Sequence, residues 1–427
     1  MKVLIISHMV FSRNTNMGKT LLNYFAGFES SEIAQFYIQS EIPESKEFCS
    51  RYYRFTDIDA LKSIFMLKKY GRVFDVKKDI TVETGAKKIK TSKKMFLNRS
   101  AAVYFARNII WRFSHWFTKD LRKWLIEFNP DIIFFSSGDY AFMYNIACKI
   151  ARYLKRPLVI SCMDDYYVYS VNGKTLLGKI EHKLYMGAVK RAMKQASAIV
   201  PICESMANIY SKMFNRPTFV MHTPAPTVKL NFNKDARNIA YLGNVGLGRF
   251  EQLIEMGNAL QKIDCSEGPK VIDVYSNIKN EDIRKKLMNS AGIRLHEAIP
   301  EEYVRKVMEN SMAVVHTESF SEDLKKRVKY SVSTKIAEST MYGPCLLAYG
   351  PEGIASIDYL KQYHAAYIIT SKDELISRLK EFIDNKKMRE EIISNARKLA
   401  KKNHDISAVS TSFKIFLEET VNSYYKK

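Results

Sequence analysis

The chain has 427 residues, 46% of them hydrophobic and 26% charged, with a formal net charge of +22. That length exceeds what one core supports and predicts two or three domains, and the composition excludes a low-complexity or disordered chain. No apolar run reaches the length of a bilayer span, so the charge predicts an anionic partner met from outside: nucleic acid, acidic lipid or phosphorylated substrate.

Six widely spaced cysteines (49, 148, 162, 203, 265 and 345) show no metal-ligand spacing and read as buried thiols of a reducing compartment. The first apolar stretch, residues 3–6, is too brief for a signal peptide and reads as a parallel strand buried on both faces; the expectation is a cytoplasmic protein. A polar loop and Asn16-Met17-Gly18-Lys19-Thr20 lead into a helix, the opening of a doubly wound domain. Gly18-Lys19-Thr20 is not a P-loop, because Arg13 stands where that motif needs glycine. Asp57-Ile58-Asp59 has the form of a metal-binding Asp-x-Asp. It follows Arg51-Tyr52-Tyr53-Arg54-Phe55-Thr56 rather than an apolar strand and precedes a helix, so it reads as capping, and no metal site is predicted.

Residues 60–125 concentrate charge and aromatic side chains. Lys68, Lys69, Arg72, Lys77, Lys78, Lys87, Lys88, Lys90, Lys93, Lys94 and Arg99 interleave with Phe65, Tyr70, Phe74 and Phe96, and Trp111, Trp116 and Trp124 follow. Two readings stand: docking on an anionic membrane surface, or core aromatics beside solvated lysines. Single-stranded nucleic acid calls for the same ingredients, but no nucleic-acid motif accompanies them, so that partner is not expected.

The stretch 129–138 reads as a strand after a turn, a helix follows at 141–154, and the stretch 156–167 is a second strand with Asp164-Asp165 just after its carboxyl end, where open sheets place ligands. Adjacent side chains in extended backbone point opposite ways, so one of the two can face a ligand; turn or capping residues are the alternative. A long basic helix at 174–195, a strand at 196–203 and a short strand at 218–221 precede His222-Thr223-Pro224-Ala225-Pro226, the best linker in the chain. The pattern then restarts. A strand at 237–242 runs into Gly243-Asn244-Val245-Gly246-Leu247-Gly248, and Arg249 opens a helix; such a turn lets backbone approach an anion that an arginine can clamp. Further strands are expected at 270–275 and 313–316, the latter running into Thr317-Glu318-Ser319-Phe320.

The stretch Ser331-Val332-Ser333-Thr334-Lys335-Ile336-Ala337-Glu338 is the start of a short helix capped by Ser333 or Thr334. Gly343-Pro344 stops it, and a strand follows at 345–348. A helix N-terminus suits a phosphate, and Glu338, one turn in, can accept two hydrogen bonds from a vicinal diol such as ribose. Together they describe a nucleotide diphosphate.

This segment resembles the donor-binding segment of GT-B glycosyltransferases, especially family 4, in which a Lys-x-x-Glu helix and a following Gly-Pro-type turn grip a nucleotide-sugar. The family's usual pair is Glu-x7-Glu; here Glu338 is the second, Tyr330 stands at the first, and Glu318 is the nearest replacement acid. The resemblance implies an α/β chain of two doubly wound Rossmann-like domains facing a cleft. Residues 1–224 would form the acceptor side, 225–404 the donor side, and 405–427 would pack back on the first. It implies donor contacts from Gly243, Asn244, Gly246, Gly248, Arg249, Ile299, Ser333, Thr334, Lys335 and Glu338. Asn16, Gly18 and Glu318 would approach the sugar or acceptor, and Asp164 or Asp165 would be catalytic. No cofactor is implied beyond the nucleotide diphosphate sugar as co-substrate, since helix dipole and cations replace a metal. The expected activity is transfer, with retention, to a lipid-linked or polysaccharide acceptor in cell-surface glycan synthesis, peripheral to the cytoplasmic membrane face. A nucleotide-sugar 2-epimerase of the same architecture is an alternative, as is a non-enzymatic protein that binds anionic surfaces.

Overall fold

The computed structural model describes residues 1–13, 16–43, 47–66, 70–74, 100–165, 167–168, 175–233, 235–264 and 268–426, with backbone alone at 16 and 17. The chain divides into two compact units, Met1–Met221 with Val409–Lys427, and His222–Ala408.

In the first unit the described strands are β1 (Val3–Ser7), β2 (Ile33–Tyr37), β3 (Arg51–Arg54), β4 (Arg72–Phe74), β5 (Ile132–Ser136), β6 (Leu158–Cys162) and β7 (Ala198–Pro201). They lie in the order β4-β3-β2-β1-β5-β6-β7, all parallel except β4, which closes one edge antiparallel to β3. Helices cover both faces of a parallel sheet, so β1, β2, β5, β6 and β7 are buried at every position, and their mostly apolar sequences follow from that. The segment 218–221 is less regular than a strand: it makes one isolated bridge, Thr218 to Ile199, and adds the bonds Phe219 N–H to Ile199 O and Met221 N–H to Pro201 O.

The last helix, Ile406–Tyr425, completes this core from Val409 onward. Phe413 is fully buried, with ring centroids 5.5 Å from both Phe25 and Phe134. Lys414 reaches Glu32 at 3.2 Å, and Glu32 also receives the N-terminal ammonium of Met1 at 2.8 Å.

Of the two readings of the aromatic stretch before β5, its three tryptophans follow the core one, whereas Phe65 and Phe113 are exposed. Trp111, Trp116 and Trp124 are 2%, 7% and 4% exposed. Trp111 stacks on Phe142 at 4.8 Å and donates its indole N–H to Asp57 at 2.7 Å, while Trp124 packs against Tyr53. Asp57 also pairs with the buried guanidinium of Arg107, and Asp59 forms a capping box with Thr56, so the Asp-x-Asp pair is structural. Of the basic residues singled out between 68 and 99, all but Arg72 lie outside the described residues.

The second unit repeats the winding with β8 (Asn238–Leu242), β9 (Ile272–Tyr275), β10 (Ile293–His296), β11 (Ser311–Thr317), β12 (Cys345–Tyr349) and β13 (Tyr367–Ile369). All are parallel, in the order β10-β9-β8-β11-β12-β13. In each sheet the chain winds outward in one direction from its first strand and then in the other. The loops after β1 and β5, and after β8 and β11, therefore flank a topological switch point, where doubly wound sheets open a crevice at their carboxyl ends.

Phe413→Ala is expected to lower the unfolding free energy by about 3–5 kcal/mol, because a fully buried ring leaves a cavity among Tyr24, Phe25, Phe134 and Phe219. Denaturant unfolding of the full chain measures it, and an unchanged midpoint would remove the last helix from the first unit's core.

Candidate nucleotide diphosphate site

At the switch point of the second unit, the turn after β8 has a conformation that depends on glycine. Gly248 has φ +75°, and a Cβ there would lie 2.7 Å from Ser319 Oγ, so the turn packs directly on the loop after β11. Asn244 folds the turn on itself by accepting the Gly246 N–H at 2.6 Å, and its own carbonyl accepts the Tyr241 hydroxyl at 2.6 Å.

Arg249, the first residue of the helix Arg249–Lys262, crosses the switch point to Glu318. Its Nη2 lies 2.8 and 3.0 Å from the two carboxylate oxygens of Glu318, and Nε donates to Oε2 and to the Thr317 carbonyl, both at 3.2 Å. Burial works against the guanidinium charge, but the Glu318 carboxylate outweighs it and holds the arginine above its ordinary pKa. Glu318 is only 2% exposed and commits both oxygens to this pair. It is therefore no replacement for a sugar-binding acid, which corrects the expectation from the sequence. His316, buried on β11, has Nε2 3.8 Å from Glu318, beyond a hydrogen bond. Burial and then Arg249 lower its pKa to about 4 against the pull of Glu318, so the ring is neutral.

The helix Thr334–Tyr342 starts beside this pair with Ser333 as N-cap, and the Ser333 side chain takes none of its N–H groups. Lys335 is exposed along its stem, while its amino group turns inward to donate to the Leu242 carbonyl. A Cβ at Gly243 would sit 2.6 Å from Lys335 Nζ, so glycine is what lets the amine into the turn. Burial of that head group lowers the lysine pKa to about 8, with Glu338 opposing and Arg249 reinforcing the fall. Glu338, half-buried, follows one turn later on the same face as Lys335.

At the far end of this helix Arg397, on the helix Lys386–Asn403, donates to the carbonyls of Thr340 (2.6 Å), Ser339 (3.4 Å) and Gly343. It closes the helix C-terminus and fixes the position of Lys335 and Glu338. Nothing in the local sequence marks it, because its partners lie more than fifty residues away. Between the neighbouring strands β9 and β10, the buried carboxylate of Asp273 receives Arg294 at 3.3 Å and contacts His296 Nε2 at 2.8 Å, and the His296 ring stacks on Tyr275 at 4.4 Å. Ile299 lines a cavity of about 330 Å³ with Asp273, Tyr275 and Tyr303.

In the first unit, Asp164 and Asp165 do follow β6. Asp165 Oδ1 accepts from the backbone N–H of Tyr167 (3.0 Å) and Val168 (2.9 Å) and from the Tyr210 hydroxyl (2.8 Å), whereas Asp164 is exposed. Asp165 thus holds its own loop. Gly18 lies inside the helix Asn16–Tyr24 and is buried, so it is not the turn expected before that helix; the side chain of Asn16 lies outside the described residues. The loop after β5 brings together groups that sequence reasoning missed. Asp139 accepts the Tyr104 hydroxyl at 2.5 Å, and Tyr140 packs against His8, from the loop after β1, at 4.9 Å. Nearby, burial and then the charge of Asp139 push Glu181 up to about 7.

Two parallel, doubly wound sheets with these switch points recur in solved structures. HepE of Anabaena, crystallised with UDP, aligns over 98% of this chain and 100% of its own, with a TM-score of 0.62 at 10% identity. Sucrose-phosphate synthase of Thermosynechococcus elongatus aligns over 99% and 100%, TM-score 0.61 at 9% identity. WaaG, a glycosyltransferase involved in lipopolysaccharide biosynthesis, aligns over 97% and 99%, TM-score 0.54 at 11% identity. The fold is GT-B. Residues 268–413, most of the second unit from β9 onward, match the family model described as glycosyl transferase-like. The chain thus has the GT-B fold, and its second unit carries the glycosyl transferase-like match. No curated protein sequence matches it.

Glu318→Ala should destabilise the protein by about 3 kcal/mol, the low end for breaking a buried ion pair, because Arg249 keeps some access to water. Replacing both partners together should cost less than the sum of the single changes. Chemical denaturation of the two single variants and the double variant measures this; additive losses would show that the two side chains are not coupled.

Proposed function

We propose that the chain moves a sugar from a nucleotide diphosphate sugar, with uridine diphosphate as the leaving group, to a glycan or lipid-linked acceptor. The observation that carries this reading is the convergence of Lys335, Arg249 and the N-terminus of the helix Thr334–Tyr342 at one switch point, with Glu338 a turn away. Cleavage of the bond from sugar to phosphate leaves a diphosphate whose new negative charge must be stabilised. Two cations and a helix N-terminus supply that stabilisation, so the transfer needs no divalent metal. Glu338 accepts the two ribose hydroxyls. The wall formed by Ile299, Tyr275 and Tyr303 receives the base. Of the two aspartates after β6, Asp164 meets substrate and Asp165 holds the loop that presents it. That HepE was crystallised with UDP and with UDP-glucose supports a uridine nucleotide, and family resemblance supports retention at the anomeric carbon.

A panel of nucleotide-sugars incubated with the protein and excess chelator tests the reading. Release of UDP from a UDP-sugar is expected; activity that returns only with manganese or magnesium would overturn metal independence. Epimerisation of the free sugar nucleotide without transfer would overturn the assigned reaction.

Glu338→Ala removes a charged hydrogen-bond partner, worth about 1.5–3 kcal/mol, and should weaken UDP binding at least about tenfold in calorimetry. Unchanged affinity would take Glu338 out of the site.

The lowered pKa of Lys335 sets a pH dependence. Below about 8 the amine is an ammonium and can pair with diphosphate; above it the unliganded protein holds a neutral amine. UDP affinity should therefore be flat near pH 7 and fall about tenfold per pH unit above about 8, and Lys335→Arg should move that fall upward by several units. Affinity independent of pH from about 7 to about 9.5 in the native protein would contradict the role.

A further inference from the structure

One basic helix of the first unit, Leu176–Gln195, is not used by the donor site. The helix Leu176–Gln195 buries Tyr185, Ala188, Val189, Ala192 and Met193 against the first unit. Its opposite face presents Lys179, Lys183, Lys190, Arg191 and Lys194, all exposed. On that same face Leu176, Ile180 and Leu184 are 77%, 43% and 43% exposed. At 3.6 residues per turn, positions 176, 180 and 184 form one stripe, with 179 and 183 directly beside it. The helix has one acid, Glu181, which is half-buried and close enough to Asp139 to feel its charge, so it does not neutralise the outer face. The helix Ala101–Phe113 packs alongside and adds exposed Ile109, Phe113 and Arg112.

We propose that this face docks the first unit on an anionic lipid surface, with the aliphatic stripe inserted among the acyl chains and the lysines and arginine at the headgroups. A solvated helix face gains nothing from three large aliphatic side chains, whereas an interfacial helix needs both components at once. Charge complementarity selects the partner. Five cations without an acid would repel a second copy of the same face. Nucleic acid would engage the cations but has no use for leucine and isoleucine, since it is bound through phosphate contacts and stacking on aromatic rings. A helix of twenty residues is about 30 Å long and can lie flat along a bilayer surface. The surface differs from the one the tryptophans marked in the sequence, because those rings are core.

The test is sedimentation of the full chain with vesicles of phosphatidylcholine alone and of phosphatidylcholine with phosphatidylglycerol, across a salt series. Binding to the anionic vesicles only, weakened by salt but not abolished, is expected. Lys179→Gln and Lys183→Gln should each lower the binding constant about fivefold at low salt. The triple change Leu176→Ser, Ile180→Ser and Leu184→Ser should remove the salt-resistant part. All five side chains are exposed, so the denaturant unfolding midpoint of the full chain should be unchanged in these variants and reports that the first unit is intact. Equal and negligible binding to both vesicles, or variants that bind as the parent does, would overturn the proposal. Tight binding of a single-stranded oligonucleotide that the triple serine change leaves unaltered, with no vesicle binding, would replace the membrane with nucleic acid.

Discussion

The second unit is organised around the ion pair between Arg249 and Glu318. It ties the turn after β8 to the loop after β11 across the one place where the winding of the sheet reverses. Two charges taken largely out of water are stable only while each holds the other, so the geometry of both loops is set together. Gly248 brings the loops within contact distance, and Gly243 admits the Lys335 amine to the carbonyl of Leu242. Arg397 fixes the other end of the lysine's helix. Three segments far apart in sequence thereby hold two cations, a helix N-terminus and one carboxylate at the same sheet edge. That set is preorganised for an anion carrying a diol.

Preorganisation has an electrostatic consequence. Arg249 lies close enough to Lys335 to disfavour its charge, and burial works against the charge at both. Glu318 offsets this at Arg249, and Glu338 does so in part at Lys335. The site therefore rests with one cation neutralised by a buried partner and the other poised near neutrality. On the proposed function, an arriving diphosphate would supply the missing countercharge.

The doubly wound architecture was readable because strands buried on both faces must be apolar throughout, as in β1, β5, β6 and β12. The helix at 334 and the glycine turn at 243 were equally plain, since capping and turn chemistry are local. The β3 strand was not. Arg51-Tyr52-Tyr53-Arg54 has no apolar run, and its two tyrosines are buried, Tyr53 against Phe36 and Trp124 and Tyr52 against Tyr37, partners that only the fold brings near. The same limit explains the site. Glu318 could be noticed as an acid near a missing one, but its pairing with Arg249, sixty-nine residues away, depends on strand order. The tryptophans left two readings open because an aromatic segment bordered by lysines reads alike as a membrane surface or as a core wall.

The central claim is that a nucleotide diphosphate occupies the switch point of the second unit. A crystal structure with UDP bound tests it most directly. The account places the phosphates at the N-terminus of the helix Thr334–Tyr342, with Lys335 Nζ withdrawn from the Leu242 carbonyl to reach them and the ribose hydroxyls on Glu338. A nucleotide bound elsewhere in the protein, with Lys335 still held by Leu242, would contradict it.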